Sequence, residues 1–186
     1  MNDTSNYAKA KGTSIEQAIQ GQMQAELSGA GMYFSLARLA EKHNLNDAAE
    51  KFIELANEHA QMTSFYAEFC GRYPFKNEEF WQFVKGLSKS EYFGEKAILG
   101  LSEKVKEAGF EEAADVIKIF ASQHKHHAQI TSELVEKYAP ESVKSNNGKC
   151  YVCSICGYEY IGNFDKEPDD FKCPICTCPK NVFKQQ

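Results

Sequence analysis

Tyr151-Val-Cys153-Ser-Ile-Cys156-Gly157-Tyr158 and, beyond the stretch from Gly157 to Lys172, Cys173-Pro-Ile-Cys176 place two CxxC pairs near the end of a 186-residue chain. Each pair bends the backbone so that two sulfurs face one tetrahedral ion, and four thiolates together enclose and neutralise it. The segment is too short to build a sufficient apolar core, so a metal staple is a physical requirement of its folding. Zinc and iron both accept four sulfurs, and spacing does not choose between them. Of the remaining cysteines, Cys150 and Cys178 flank the pairs and read as spares, while Cys70 stands alone as a small buried apolar residue. The start of the chain is polar, without the apolar segment of a secretory signal, so a cytoplasmic location is expected, and there clustered cysteines argue for metal thiolates over disulfides.

Working back from the cysteines, Pro140-Glu-Ser-Val-Lys-Ser-Asn-Asn-Gly148 has linker chemistry. Three regions follow: a helical domain over 1–139, a linker over 140–148 and a metal-knuckle domain over 149–186. Apolar residues recur at helical spacing from Ile15 to Ala40, Leu45 to Phe69, about Val84 to Ala108 and Ala113 to Tyr138, which predicts four long helices. Thr13 with Glu16 reads as a capping box, and Gly109 and Pro140 as stop signals. Short connections near Asn44 and Gly109 predict antiparallel pairs. The stretch from Gly71 to about Leu87, with Pro74 and Gly86, reads as a long second crossover, and that connectivity makes the expected fold mainly α, a ferritin-like four-helix bundle.

Composition narrows the function. With 21 Lys plus Arg against 26 Asp plus Glu, the net charge of −5 gives no reason to expect a nucleic-acid partner or an anionic membrane surface. No apolar run approaches the roughly 20 residues needed to span a bilayer. The buried stripes say more. The rows Ile19, Glu26, Tyr33, Ala40 and Leu45, Phe52, His59, Tyr66 each carry one ionisable group, as do Val84, Glu91, Ile98, Val105 and, on the fourth helix, Phe110, Ile117, His124, Thr131 beside Ala113, Phe120, His127, Leu134. A lone buried carboxylate is costly, so four such groups on four helices suggest one shared partner, a metal ion. The alternative is a structural network of hydrogen bonds. Glu26, His59, Glu91 and His124 are the expected ligands, with Glu95 and His127 auxiliary, His126 solvated, Met62 core filler and Tyr33 a structural donor.

The tail, with Tyr-Val-Cys-x-x-Cys-Gly-Tyr-Glu-Tyr at 151–160, Pro168-Asp-Asp-Phe171 before Cys173-Pro-x-Cys176, and Lys180 with Phe183, resembles a shortened rubredoxin. A ferritin-like bundle followed by such a domain resembles rubrerythrin. Glu26 with Tyr33, Phe52-x-Glu54-x-Ala56, Gly109-Phe-Glu-Glu112 and Phe120-Ala-Ser122 add to the match. The resemblance implies iron at Cys153, Cys156, Cys173 and Cys176, electrons supplied through it by an NAD(P)H-linked reductase or another donor, reduction of hydrogen peroxide at a diiron site in the bundle, and a homodimer. Where that family has Glu-x-x-His on the second and fourth helices, this chain has His59-x-x-Met62 and His124-x-x-His127, and the family's second glutamate on the third helix falls near Phe93 or Gly94. Glu26 and Glu91 balance one divalent ion more readily than two. Three expectations follow: a peroxide reductase with a His-rich dinuclear site, an electron-transfer or metal-binding protein with a single or altered bundle metal, iron or another divalent ion, and a zinc-stapled structural protein.

Overall fold

The computed structural model describes residues 6–145 and 149–186. It is mainly α, four long helices followed by a small knuckle domain, as expected. The described chain divides into two compact units, Met1–Phe75 and Lys76–Gln186.

The first unit is a hairpin of α1 (Glu16–Lys42) and α2 (Asn46–Phe69). Asn44 takes the left-handed conformation, with φ of 59°. Leu45 N then donates to Ala40 O and Asn44 N to Glu41 O, the paired bonds that close a helix C-terminus and reverse the chain. Ala30, Ala37 and Ala40 of α1 and Ala49, Ala56 and Ala67 of α2 are buried. Small side chains let the two backbones approach closely. The expected capping box does not form: the Thr13 hydroxyl donates to Ala10 O, while the Glu16 carboxylate accepts from Gly12 N. Residues ahead of α1 are in turns, and these bonds belong to them.

The second unit joins α3 (Asn77–Glu107) and α4 (Glu111–Tyr138) through the same reversal. Gly109 has φ of 90°, with Phe110 N to Val105 O and Gly109 N to Lys106 O. Helix α3 starts well before the expected Val84, so the second connection is the shorter segment Cys70–Lys76. Phe80, Trp81, Val84 and Leu87 keep helical spacing across Gly86, which α3 tolerates in its interior. The seam of this hairpin also differs from the expected rows. Ala114, Ala121, Ala128 and Val135 are buried against α3, where Ser88 and Ser102 are buried too. Phe110, Phe120 and Leu134, read from sequence as inward, are exposed. Close approach favours alanine over the bulky residues that dominate a hydropathy reading.

The expected linker, of which residues 146–148 lie outside the described residues, contains a helical turn, α5 (Glu141–Lys144). Its Val143 is wholly buried with Val84, Val135 and Ala139, and Lys85 Nζ donates to the Val143 and Lys144 carbonyls. The tail is a three-stranded antiparallel sheet of β1 (Cys150–Cys153), β2 (Glu159–Ile161) and β3 (Phe183–Gln185), with β1 central. Its core is Tyr151, Cys153, Tyr158, Phe164, Cys173 and Phe183. The Phe164 ring lies 4.7 Å from Tyr151 and 4.9 Å from Phe183. Six such residues are a thin core for an independent domain. No helix among the described residues is long and apolar enough to cross a membrane.

Candidate metal centres

Two backbone knuckles present the four expected sulfurs. Gly157 N donates to Cys153 O and Thr177 N to Cys173 O, each at 2.9 Å, with Gly157 and Thr177 both left-handed. The second knuckle thus holds a β-branched residue, φ of 61°, in a conformation that favours glycine. Cys153 Sγ lies 3.6 Å from Cys176 Sγ, and Cys156 Sγ 3.6 Å from Cys173 Sγ. All four sulfurs fall within 4.8 Å of one another. A tetrahedral ion with metal–sulfur distances of about 2.3 Å needs sulfurs roughly 3.8 Å apart, so the cage has the right size.

Its electrostatics also fit a cation. Hydrogen bonding to Cys173 lowers the Cys156 thiol to about 5. Burial raises Cys153 to about 11, and hydrogen bonding to Cys156 together with burial pushes Cys173 up as well. Four thiols this close share few negative charges until a cation compensates them. Backbone amides of Ile155 and Cys156 point at the Cys153 sulfur, and those of Ile175 and Cys176 at the Cys173 sulfur, an arrangement that favours thiolate. Cys178 contributes its carbonyl to Cys173 N, and Cys150 lies in β1. Cys70 is buried at the end of α2, as expected.

The helical residues form two acid–imidazole groups. In the first unit His59 Nδ1 pairs with Glu26 Oε2 at 2.5 Å, while Gln22 Nε2 donates to Glu26 Oε1 at 2.5 Å. The Tyr33 ring stacks on His59, 5.2 Å between centroids. In the second unit His124 Nδ1 pairs with Glu91 Oε2 at 2.6 Å, and His127 Nδ1 stands 3.7 Å from the same oxygen. Ligand atoms of Glu91, His124 and His127 all lie within 4.8 Å of one another. Glu95 is half-buried and belongs to neither group among the described residues; His126 and Met62 are exposed, Met62 against the expectation of core filler. Ala49, Ala56 and Ala67 form the buried seam of α2, and Met62 lies off it.

Sequence reasoning missed two glycines. A Cβ on Gly29 would lie 2.8 Å from His59 Nδ1, and one on Gly94 would lie 3.0 Å from His124 Nδ1. Each imidazole rests in a notch that only glycine leaves open. An internal repeat carries the signal: Glu26, Gly29, Asn44, Ala49, Ala56 and His59 recur at identical spacing as Glu91, Gly94, Gly109, Ala114, Ala121 and His124.

The Gln22 amide, and after it His59, hold the Glu26 carboxyl below its ordinary 4.5. A carboxyl that takes its proton less readily folded than unfolded stabilises the fold above pH 4.5, and the contribution is lost as pH falls through the lower folded value. In metal-free protein, urea melts followed by circular dichroism at about pH 6 and about pH 3 should show a larger loss for the native chain than for Glu26→Gln.

Carboxylate and imidazole suit iron, zinc or manganese, and Glu91 with His124 and His127 offers one carboxylate and two imidazoles to such an ion. No protein-family model matches the chain. The uncharacterized protein MJ0746 of Methanocaldococcus jannaschii is 27% identical over 128 residues, covering 69% of this chain and 89% of that protein. Rubredoxin-1 of Chlorobaculum tepidum is 44% identical over 46 residues, covering 18% of this chain and 67% of its own length. Structures of nigerythrin in mixed-valence and fully reduced, all-ferrous states align over 97% of this chain and 92% of theirs at 20% identity, with a TM-score of 0.28.

Proposed function

Because this chain belongs to the rubredoxin family through its cysteine-rich C-terminal domain, set behind four long helices in the rubrerythrin order, we propose that it is a rubrerythrin-like non-haem iron oxidoreductase. It reduces hydrogen peroxide with electrons that enter at the tetrathiolate site. One observation carries this reading: a four-sulfur cage and a carboxylate–imidazole cluster, Glu91 with His124 and His127, belong to one compact unit. Iron in the cage supplies one-electron redox chemistry, and a divalent ion at the helical ligands supplies an open position for peroxide.

The chain's own residues do the rest. Cys153, Cys156, Cys173 and Cys176 hold the entry iron, and the amides aimed at two of the sulfurs steady their charge. Glu91 and His124 fix one another, and Gly94 leaves the space in which the His124 ring lies. Glu26 and His59 repeat that pair in the first unit. His127, its side chain 54% exposed, is the member of the cluster that solvent and a small oxidant reach first. Each peroxide consumes two electrons and two protons and leaves as two waters. The electron donor is an NAD(P)H-linked reductase or another carrier, and the working form is a homodimer.

A second reading has its own observation. Glu91 is the lone carboxylate of its cluster, which favours a single ion there and an electron-transfer role without peroxide reduction. Anaerobic reduction followed by rapid mixing with peroxide separates the two. The oxidised protein should be red, bleach on reduction, and regain its colour with peroxide at about one thiolate site per molecule. Red protein inert to peroxide would favour the electron carrier. Colourless protein holding zinc would leave only the structural role.

A further inference from the structure

Helix α3 presents Phe83, Gly86, Ser90 and Phe93 on one face, and the first knuckle of the cage lies against it. Ser90 Oγ donates to Cys156 O at 2.7 Å. The Phe83 ring meets Tyr158 at 5.8 Å. A Cβ on Gly86 would come within 2.3 Å of Glu159 O and 2.6 Å of the Tyr158 ring, and a Cβ on Gly157 within 2.3 Å of Phe93 Cβ. One glycine on each partner therefore brings helix backbone and knuckle backbone together. The two knuckles are built alike, yet the second has the exposed Thr177 where the docked one has Gly157. The positive φ alone tolerates threonine in this chain; the contact with Phe93 does not. The residue after Ser90 is Glu91, whose carboxylate belongs to the acid–imidazole cluster. A single hydrogen bond thus joins a residue of the sulfur cage to the neighbour of a helical ligand.

We propose that Ser90 is a positioning residue: its hydroxyl seats the Cys156 knuckle on α3 beside Glu91, and this seat sets how fast electrons pass within one chain from the cage to the helical cluster. The assignment rests on the peroxide-reducing reading. Each peroxide takes two electrons and two protons and leaves as two waters: one electron would come from the chain's ferrous cage, which becomes ferric, the other from a ferrous ion at the helical cluster, and the external donor would restore both.

The test uses the full chain as wild type, Ser90→Ala, Ser90→Thr, which keeps the hydroxyl, and Gly86→Leu, which fills the contact. Two readouts are taken: the first-order rate at which peroxide restores the red colour after reduction, and hydrogen exchange of amides 153–160 in protein with zinc in the cage, which involves no redox chemistry. Loss of one neutral hydrogen bond should slow recolouring about 2- to 10-fold in Ser90→Ala and speed the exchange by a similar factor. Gly86→Leu should do more, and Ser90→Thr should behave as wild type. The native rate should not change with protein concentration. Recolouring of Ser90→Ala at the native rate overturns the assignment, whatever the exchange shows. Native protein inert to peroxide removes the peroxide reading instead, and exchange then decides: faster exchange in Ser90→Ala keeps the seat, and unchanged exchange removes it.

Discussion

Cys173→Ser should strip the tail of its metal, its colour and its fold while leaving the helical circular-dichroism signal of α1 to α4 nearly intact. Cys173 is 1% exposed, sits in the six-residue core of the tail, and receives the amides of Ile175 and Cys176 at its sulfur. A serine hydroxyl is a shorter, harder donor that does not ionise at neutral pH, so the cage would lose one charge and one bond together. Structural zinc in small finger peptides contributes about 10–16 kcal/mol of apparent binding free energy, and loss of even half of that exceeds what so small a core can replace. Limited proteolysis should then cleave within residues 150–186, the visible band should vanish, and peroxide should find no electrons to take. A red, protease-resistant Cys173→Ser protein would mean that another residue, Cys178 being nearest in sequence, completes the cage.

His124→Ala should have the opposite selectivity, sparing the colour and removing the reaction. Its ring is the partner of Glu91 at 2.6 Å, and without it a carboxylate only 20% exposed loses its closest counterpart. Loss of an outer partner to a metal ligand typically lowers affinity or activity about 10- to 100-fold, and loss of a ligand itself should cost at least as much. Metal analysis should show the cage ion retained and the helical ion gone, and recolouring by peroxide should slow by about a hundredfold or more. Gly94→Ala is the milder companion: its methyl group, 3.0 Å from His124 Nδ1, should push the ring from its notch and give an intermediate loss. Undiminished recolouring in His124→Ala would take the helical cluster out of the reaction.

The sulfur cage was legible because its ligands lie close in the chain and their spacing is dictated by the ion. The acid and imidazole residues were legible one by one, since a glutamate in an apolar stripe stands out. Their grouping was not. That His59 meets Glu26 and His124 meets Glu91 follows from which helices share a hairpin and from glycines whose part is to be empty. Alanine seams escaped because alanine scores weakly on any apolar scale, so Phe110 and Phe120 drew attention that belonged to Ala114 and Ala121. Gly86 misled in a different way. Read with Pro74 as loop chemistry, it delayed the start of α3, whereas its lack of a side chain serves the contact with Tyr158 and leaves the helix unbroken. Ser90 carried no signal, because an ordinary serine becomes informative only when its acceptor is known.

Each pair of antiparallel helices is made from neighbouring stretches of chain, and its seam is mostly alanine, which has almost no rotamer freedom to lose. Such sequence-local assemblies collapse within about microseconds to milliseconds. Capture of an ion by four separated thiols waits on an encounter with scarce metal. During maturation, then, α3 should stand ready as a landing strip before the tail takes shape, and the newly loaded cage should settle onto a surface already set.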